Sequence, residues 1–215
     1  MREAYFTDDN IEEKAKSMLF DVKKQTRIKD IAVNFDKAAL IILDMQEFFL
    51  NKKSHAFVPS STAIVPQIQK LVEKFKNEKR LIIFTKHLNT FEDAGLMGIW
   101  WNDILTKYNE YNEITKALNP ENSIIINKTQ YDAFYNTDLE NVLRQNNIEH
   151  VIITGVMTHL CCETSTRSAF CKGFLPFFVI DANATYNESF HRASLLNLSC
   201  GFAVPVLSKE LIYLH

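Results

Sequence analysis

Six consecutive apolar residues, Ala38-Ala39-Leu40-Ile41-Ile42-Leu43, end abruptly at Asp44. A run this short cannot cross a membrane, which takes about 20 residues in a helix. It has no polar alternation, so it fits a strand buried on both faces and not one with a wet side. Such a strand needs cover above and below. Further short apolar runs occur over 81–84, 123–126, 150–154, 176–180 and 203–206. Between them the spacing turns helical: Ile64, Ile68, Leu71, Val72 and Phe75 predict a helix over 62–77. Thr137-Asp138-Leu139-Glu140 reads as a capping box opening a helix that runs to about residue 147. Residues 161–171 and 188–199 read as helices as well. Strand and helix alternating in this way predict an α/β fold, a parallel sheet with helices on both faces.

No linker or low-complexity stretch interrupts the alternation, so residues 35–215 read as one domain, long enough to bury a sizeable core. Residues 1–34 are polar, with a helical stretch over 9–20 and a basic segment over 23–29. They read as an arm packed on that domain. With 24 basic and 26 acidic residues the net charge is −2, which leaves no basic field for nucleic acid. Glycine is 5 of 215 residues, against about 7% in ordinary proteins. A fold built on glycine-rich phosphate loops is excluded on that ground, and neither GxGxxG nor GxxxxGK[ST] occurs. Sixteen phenylalanines predict an aromatic-rich interior. The first residues are charged and lack the apolar segment of a signal peptide. Cys161, Cys162, Cys171 and Cys200 all lie in the last third and form neither a disulfide framework nor a zinc pattern. A reduced, cytoplasmic protein with no membrane segment is the expectation.

In parallel sheets of this kind ligands sit beyond the carboxyl ends of the strands. The residues at those ends are Asp44 and Gln46, Thr85-Lys86-His87, Asn127-Lys128, the stretch from Thr154-Gly155 onward, and Asp181. Asp44 reads either as a partly desolvated proton acceptor or as a turn cap. Lys128 reads as a stabiliser of a thiolate or oxyanion, or as a solvated loop lysine. Cys161 and Cys162 fall at a helix start, where the helix dipole lowers a thiol pKa and favours a thiolate; the alternative is two buried core thiols. Neighbouring helical residues diverge by about 100°, so one of the two can face a site. Cys171 and Cys200, late in their helices, read as core thiols. His87 and His159 belong to no HExxH motif and read as non-metal residues. Trp100 and Trp101 read as pocket walls, a subunit contact or core.

Asp44-Met45-Gln46, Lys128 followed by Tyr131-Asp132-Ala133-Phe134, the stretch Gly155-Val156-Met157-Thr158-His159-Leu160-Cys161-Cys162-Glu163-Thr164 and Asp181-Ala182-Asn183-Ala184 together resemble the isochorismatase-like cysteine hydrolase superfamily. The resemblance runs over about 35–207. It implies a six-stranded, Rossmann-like parallel sheet and a catalytic triad of Asp44, Lys128 and Cys161. The family's cysteine stands six residues after the glycine of its turn, which selects Cys161 over Cys162. The resemblance further implies an oxyanion site from backbone N–H groups after a non-proline cis peptide at Val156 and Met157, and at Cys161. Gln46, His87, Trp100 and Trp101 are the expected substrate-binding residues.

Two departures from the family narrow the chemistry. True isochorismatases carry glycine where Cys161 stands, so the cysteine points away from isochorismate. Nicotinamidases carry Asp-x-His for a metal, whereas this chain reads Thr85-Lys86-His87-Leu88-Asn89. That points away from any metal or other cofactor, and from nicotinamide. The expected activity is hydrolysis of a small amide or carbamoyl compound through a thioester. The alternatives are vinyl-ether hydrolysis using Asp44 with no covalent step, and a catalytically silent binding module. A small-molecule substrate and a homo-oligomer, dimer or tetramer, are the expected partners.

Overall fold

The computed structural model of the chain describes residues 2–26, 31–101 and 103–213. Its elements run α1 (Ile11–Gln25), β1 (Ala38–Leu43), α2 (Glu47–Leu50), α3 (Ser61–Asn77), β2 (Leu81–His87), α4 (Leu96–Trp101), β3 (Ile124–Lys128), α5 (Leu139–Gln145), β4 (His150–Val156), α6 (Glu163–Cys171), β5 (Leu175–Ala184), α7 (Glu188–Gly201), β6 (Val204–Val206) and α8 (Ser208–Ile212). All six residues of β1 are buried, as an apolar run without alternation requires. The strands form one parallel sheet in the order β3-β2-β1-β4-β5-β6. The order turns around at β1, which pairs with β2 on one side and β4 on the other. That reversal opens a crevice at the carboxyl ends of β1 and β4.

The helices form two groups, as a sheet that winds both ways demands. Helix α3 packs across β1, β2, β4 and β5 and against α8, whereas α1 and α6 each pack on α7 and on β5. The arm is part of the core: Tyr5, Phe6, Ala15 and Met18 are buried with the sheet. Its helix buries Ile11, Ala15, Met18, Leu19 and Val22, one face of a 3.6-residue repeat. The last part of the expected basic segment, residues 27–29, lies outside the described residues.

Three local expectations change. The capping box does not form: Glu140 pairs with Lys172 at 2.6 Å and with Arg144, and Thr137 Oγ1 donates to the Ala133 carbonyl at 2.5 Å. Cys171 and Cys200 are exposed and not core, because the last turns of α6 and α7 present them outward. Asp181 does not face the crevice, since β5 continues to Ala184. Its carboxylate accepts from the Ser208 N–H at 2.7 Å and the Ser208 hydroxyl at 2.6 Å, capping the start of α8. The sheet also irons in one glycine: Gly155 has φ of 115°, and a Cβ there would sit 2.1 Å from the Leu43 carbonyl oxygen. Only glycine lets the ends of β1 and β4 approach this closely.

Candidate active site

Asp44 follows β1 in the left-handed region, at φ 51°, a conformation Asp tolerates better than most residues. The turn aims its carboxylate back over the sheet edge instead of out to solvent. Thr85 at the neighbouring strand fixes it, donating its hydroxyl to Oδ1 at 2.6 Å and accepting the Asp44 N–H at 3.1 Å. The other oxygen, Oδ2, faces Lys128 Nζ at 2.8 Å, and both side chains are fully buried. Lys128 ends β3 in register with His87 of β2. Its ammonium donates to the Gln130 carbonyl at 2.9 Å and to Cys161 Sγ at 3.3 Å. Burial opposes the Lys128 charge, but the Asp44 carboxylate and Cys161 beside it outweigh that and hold its pKa above the ordinary value.

Cys161 lies in a π-helical turn, Thr158–Cys162, that leads from β4 into α6. The peptide before it, Val156–Met157, is cis. The loop after β3 is tied to α6 by Ala133 N–H donating to Ser165 Oγ at 2.9 Å and Ser168 Oγ to Asp132 at 2.6 Å. These bonds keep Lys128 and Cys161 in one frame. Cys161 lines a cavity of about 240 Å³, and Cys162, fully buried, does not. The thiolate expected from the sequence is corrected here. Burial pushes the Cys161 thiol up to about 12, against the pull of Lys128, and the Asp44 carboxylate that accepts its hydrogen bond pushes the same way. That direction favours the thiol form, with the Asp44 carboxylate beside it as a base.

His87 is buried, and its pKa falls to about 4, first through desolvation and then through the Lys128 charge. Its Nε2 contacts Asn89 Oδ1 at 2.8 Å. The Asn89 amide orientation follows from its Nδ2 donating to Asp93 and to the Thr129 carbonyl, so Nε2 carries the proton and Nδ1 faces Lys128 at 3.5 Å. Both ring nitrogens are therefore occupied. Among the described residues no three His, Cys, Asp or Glu side chains gather as a metal ion would need.

The expected substrate-binding residues separate. His87 and Trp101 line the cavity, with Trp101 Nε1 donating to the Tyr131 hydroxyl at 2.7 Å. Trp100 does not: it is 76% exposed on the far side of α4. Gln46 is corrected to a positioning residue. Its Nε2 donates to the carbonyls of His87 and Asn112, and its Oε1 accepts the His87 N–H at 2.8 Å. With its amide consumed by backbone, it clamps the end of β2 to the turn after β1. His159 hydrogen-bonds Thr185 and stacks on Phe190 at 4.4 Å, and it does not line the cavity. Phe48, Phe49, Asn89, Leu160 and Arg2 also line the cavity; sequence reasoning expects the loop over 48–58 to shape the pocket, but it gives Asn89, Leu160 and Arg2 no such role. Phe48 and Phe49 stand in a segment rich in aromatics beside Asp44, which was the available signal.

Sheet order and crevice place the chain among the doubly wound α/β proteins. A family model described as Isochorismatase domain matches residues 38–210, and the chain belongs to the isochorismatase family. Nicotinamidase 3 of Arabidopsis thaliana is 34% identical over 189 residues, covering 86% of this chain and 90% of that protein. Enterobactin synthase component B of Escherichia coli strain K12 is 28% identical over 85% of this chain, which spans 65% of that protein. A solved cysteine hydrolase from Pseudomonas syringae pv. phaseolicola 1448A superposes with a TM-score of 0.84 at 27% identity, over 87% of this chain and 96% of that one. The chain is thus a hydrolase of the isochorismatase family with the six-stranded sheet that the sequence implied.

Proposed function

We propose that this hydrolase cleaves small amide or carbamoyl compounds through a thioester on Cys161, with Asp44 and Lys128 completing the triad and no metal. The observation that carries the reading is the buried Lys128 ammonium between the Asp44 carboxylate and the Cys161 sulfur, beside a small cavity. Asp44 takes the thiol proton as sulfur attacks the carbonyl carbon; the C–S bond forms and the carbonyl π pair moves to oxygen. Lys128 stabilises the sulfur as it gains charge, and backbone N–H groups at Met157 and Cys161 receive the oxyanion. When the tetrahedral species collapses, the C–N bond breaks and the amine leaves with the proton held by Asp44. Water then attacks the thioester and gives Asp44 its proton. The C–S bond breaks, and the departing thiolate takes that proton back. The balance is amide plus water to acid plus amine.

Likeness to a protein named as a nicotinamidase and to one titled a cysteine hydrolase supports C–N cleavage with a cysteine. The same reading takes the protein to be cytoplasmic and homo-oligomeric. Exposed Phe91, Leu96, Ile99 and Trp100 around α4 support the second point; no helix among the described residues is long and apolar enough to cross a membrane. The test is an ammonia-release screen over small amides, nicotinamide included, with Cys161→Ala as the blank. Release that vanishes in the blank is the expected result. Turnover surviving in the blank would favour a route through Asp44 alone.

A further inference from the structure

We propose that Arg2 makes the outer end of the cavity an anion-binding subsite, so the substrate is an amide carrying a carboxylate or similar anion away from the scissile bond. The proposal rests on the hydrolase reading above and adds a substrate class to it. Arg2 lines the same cavity as Cys161, although 159 positions of sequence separate them. An exposed arginine ordinarily leaves its head group free in water. Here the guanidinium lies over the Tyr186 ring, 4.3 Å from its centroid, and donates to the His55 carbonyl.

The backbone behind it is pinned too. Glu3 N–H donates to the Tyr186 carbonyl at 2.8 Å. Tyr5 contacts His191 Nδ1 at 3.0 Å and accepts the Thr185 N–H at 3.1 Å, and Phe6 N–H donates to Ser60 Oγ at 3.0 Å. The charge is therefore held at a fixed point of the rim. Among the described residues no carboxylate lies in ion-pair contact with it. Glu3 accepts the Glu188 N–H at 2.8 Å, and Asp103, the carboxylate that lines the same cavity, faces His55 Nε2 at 3.3 Å instead of Arg2.

The inner end offers no rival. Lys128 is matched by Asp44, and His87 is neutral near pH 7. The walls between are largely apolar, with Phe49, Met97, Leu105 and Leu160. A guanidinium has five donors in a planar fork suited to two carboxylate oxygens. A cation fixed at the mouth of an apolar cavity whose floor holds the nucleophile thus fits a ligand with an acyl carbon at one end and an anion at the other.

The test pairs acid and neutral probes of equal shape: succinamate against succinamide, and 4-carbamoylbenzoate against terephthalamide. Each is titrated calorimetrically into the full chain carrying Cys161→Ala, which separates binding from turnover. The anionic member of at least one pair should bind tenfold or more tightly, with the preference shrinking as salt is added. Adding Arg2→Gln should bring the ratio to about one, and Arg2→Lys should keep several-fold. Equal binding, no binding by either anion, or a preference that survives Arg2→Gln would overturn the subsite. Turnover of neutral amides that needs Cys161 would in those cases leave the hydrolase reading standing. Anion binding in a chain that turns over no amide would sink the hydrolase reading instead.

Discussion

The Lys128 ammonium nitrogen stands 3.3 Å from the Cys161 sulfur, although the lysine ends β3 and the cysteine follows β4, with β2 and β1 between them in the sheet. At about 4.8 Å per strand, β3 lies roughly 10 Å from β1. A long side chain folded across the end of β2 is what closes that distance, and it brings a charge into a fully buried place. Asp44 makes that placement tolerable.

Breaking this pair should show in stability as well as rate. Lys128→Met keeps the stem and leaves the Asp44 carboxylate buried alone, while Asp44→Asn strands the ammonium. Each should cost about 3–5 kcal/mol. The double variant should lose less than the sum by roughly 1–3 kcal/mol, since neither charge is then orphaned. Urea melts of the four proteins give the cycle. Additive losses would mean that the 2.8 Å contact contributes nothing. Asp44→Asn should also lower turnover by about 10²–10⁴-fold.

The thiol prediction follows from burial outweighing the lysine. Because Cys161 is pushed up to about 12, iodoacetamide at pH 7 should label it no faster than an ordinary cysteine, with a rate still climbing above pH 9. Fast labelling that levels off below pH 8 would show a resting thiolate.

Cys161 and Cys162 adjoin in sequence but only the first meets the cavity. Cys161→Ala should reduce turnover by more than about 1,000-fold, while Cys162→Ala should keep most of it. The reverse pattern in steady-state assays would reassign the nucleophile.

Two buried histidines should make the protein acid-sensitive. His87 falls to about 4 and His191 to about 3, both mainly through desolvation. Unfolded, each titrates near its ordinary 6.5, so below that pH the unfolded chain binds more protons than the folded one. The stability these neutral rings contribute is full above pH 6.5 and is lost as pH falls through 6.5 toward those folded values. The loss between pH 7 and pH 4 should be roughly 3 kcal/mol smaller in His191→Gln than in the parent. Denaturant melts at the two pH values measure it, and identical losses would contradict it.

Much of the site was legible because its strands read as short apolar runs, whether buried on both faces as β1 is or at the sheet edge as β3 is. The runs ending at Asp44 and near Lys128 could be found by apolar content alone, and the carboxyl-end rule then gathered Asp44, Lys128, His87 and the turn before Cys161. The resemblance added which of two cysteines to choose. Other features depended on distances that spacing does not carry. Gln46 looks like any polar residue after a strand until its amide is seen clamping His87 and Asn112. Arg2 sits in a polar arm with no pattern to tie it to a cavity lined by residues 48–186. The thiolate expectation failed for a related reason: a helix start can be read from sequence, but the depth of burial that overrides it cannot. Asp181 misled because β5 runs four residues past the apolar stretch that signalled it.

The central claim is a covalent acyl group on Cys161. Acid-quenching a turning-over amide within the first turnovers, followed by intact and peptide mass spectrometry, reads it directly. The account predicts an adduct of the acyl mass on the peptide containing Cys161, sensitive to hydroxylamine and absent from Cys161→Ala. Undiminished turnover by Cys161→Ala with no adduct on the parent would contradict it.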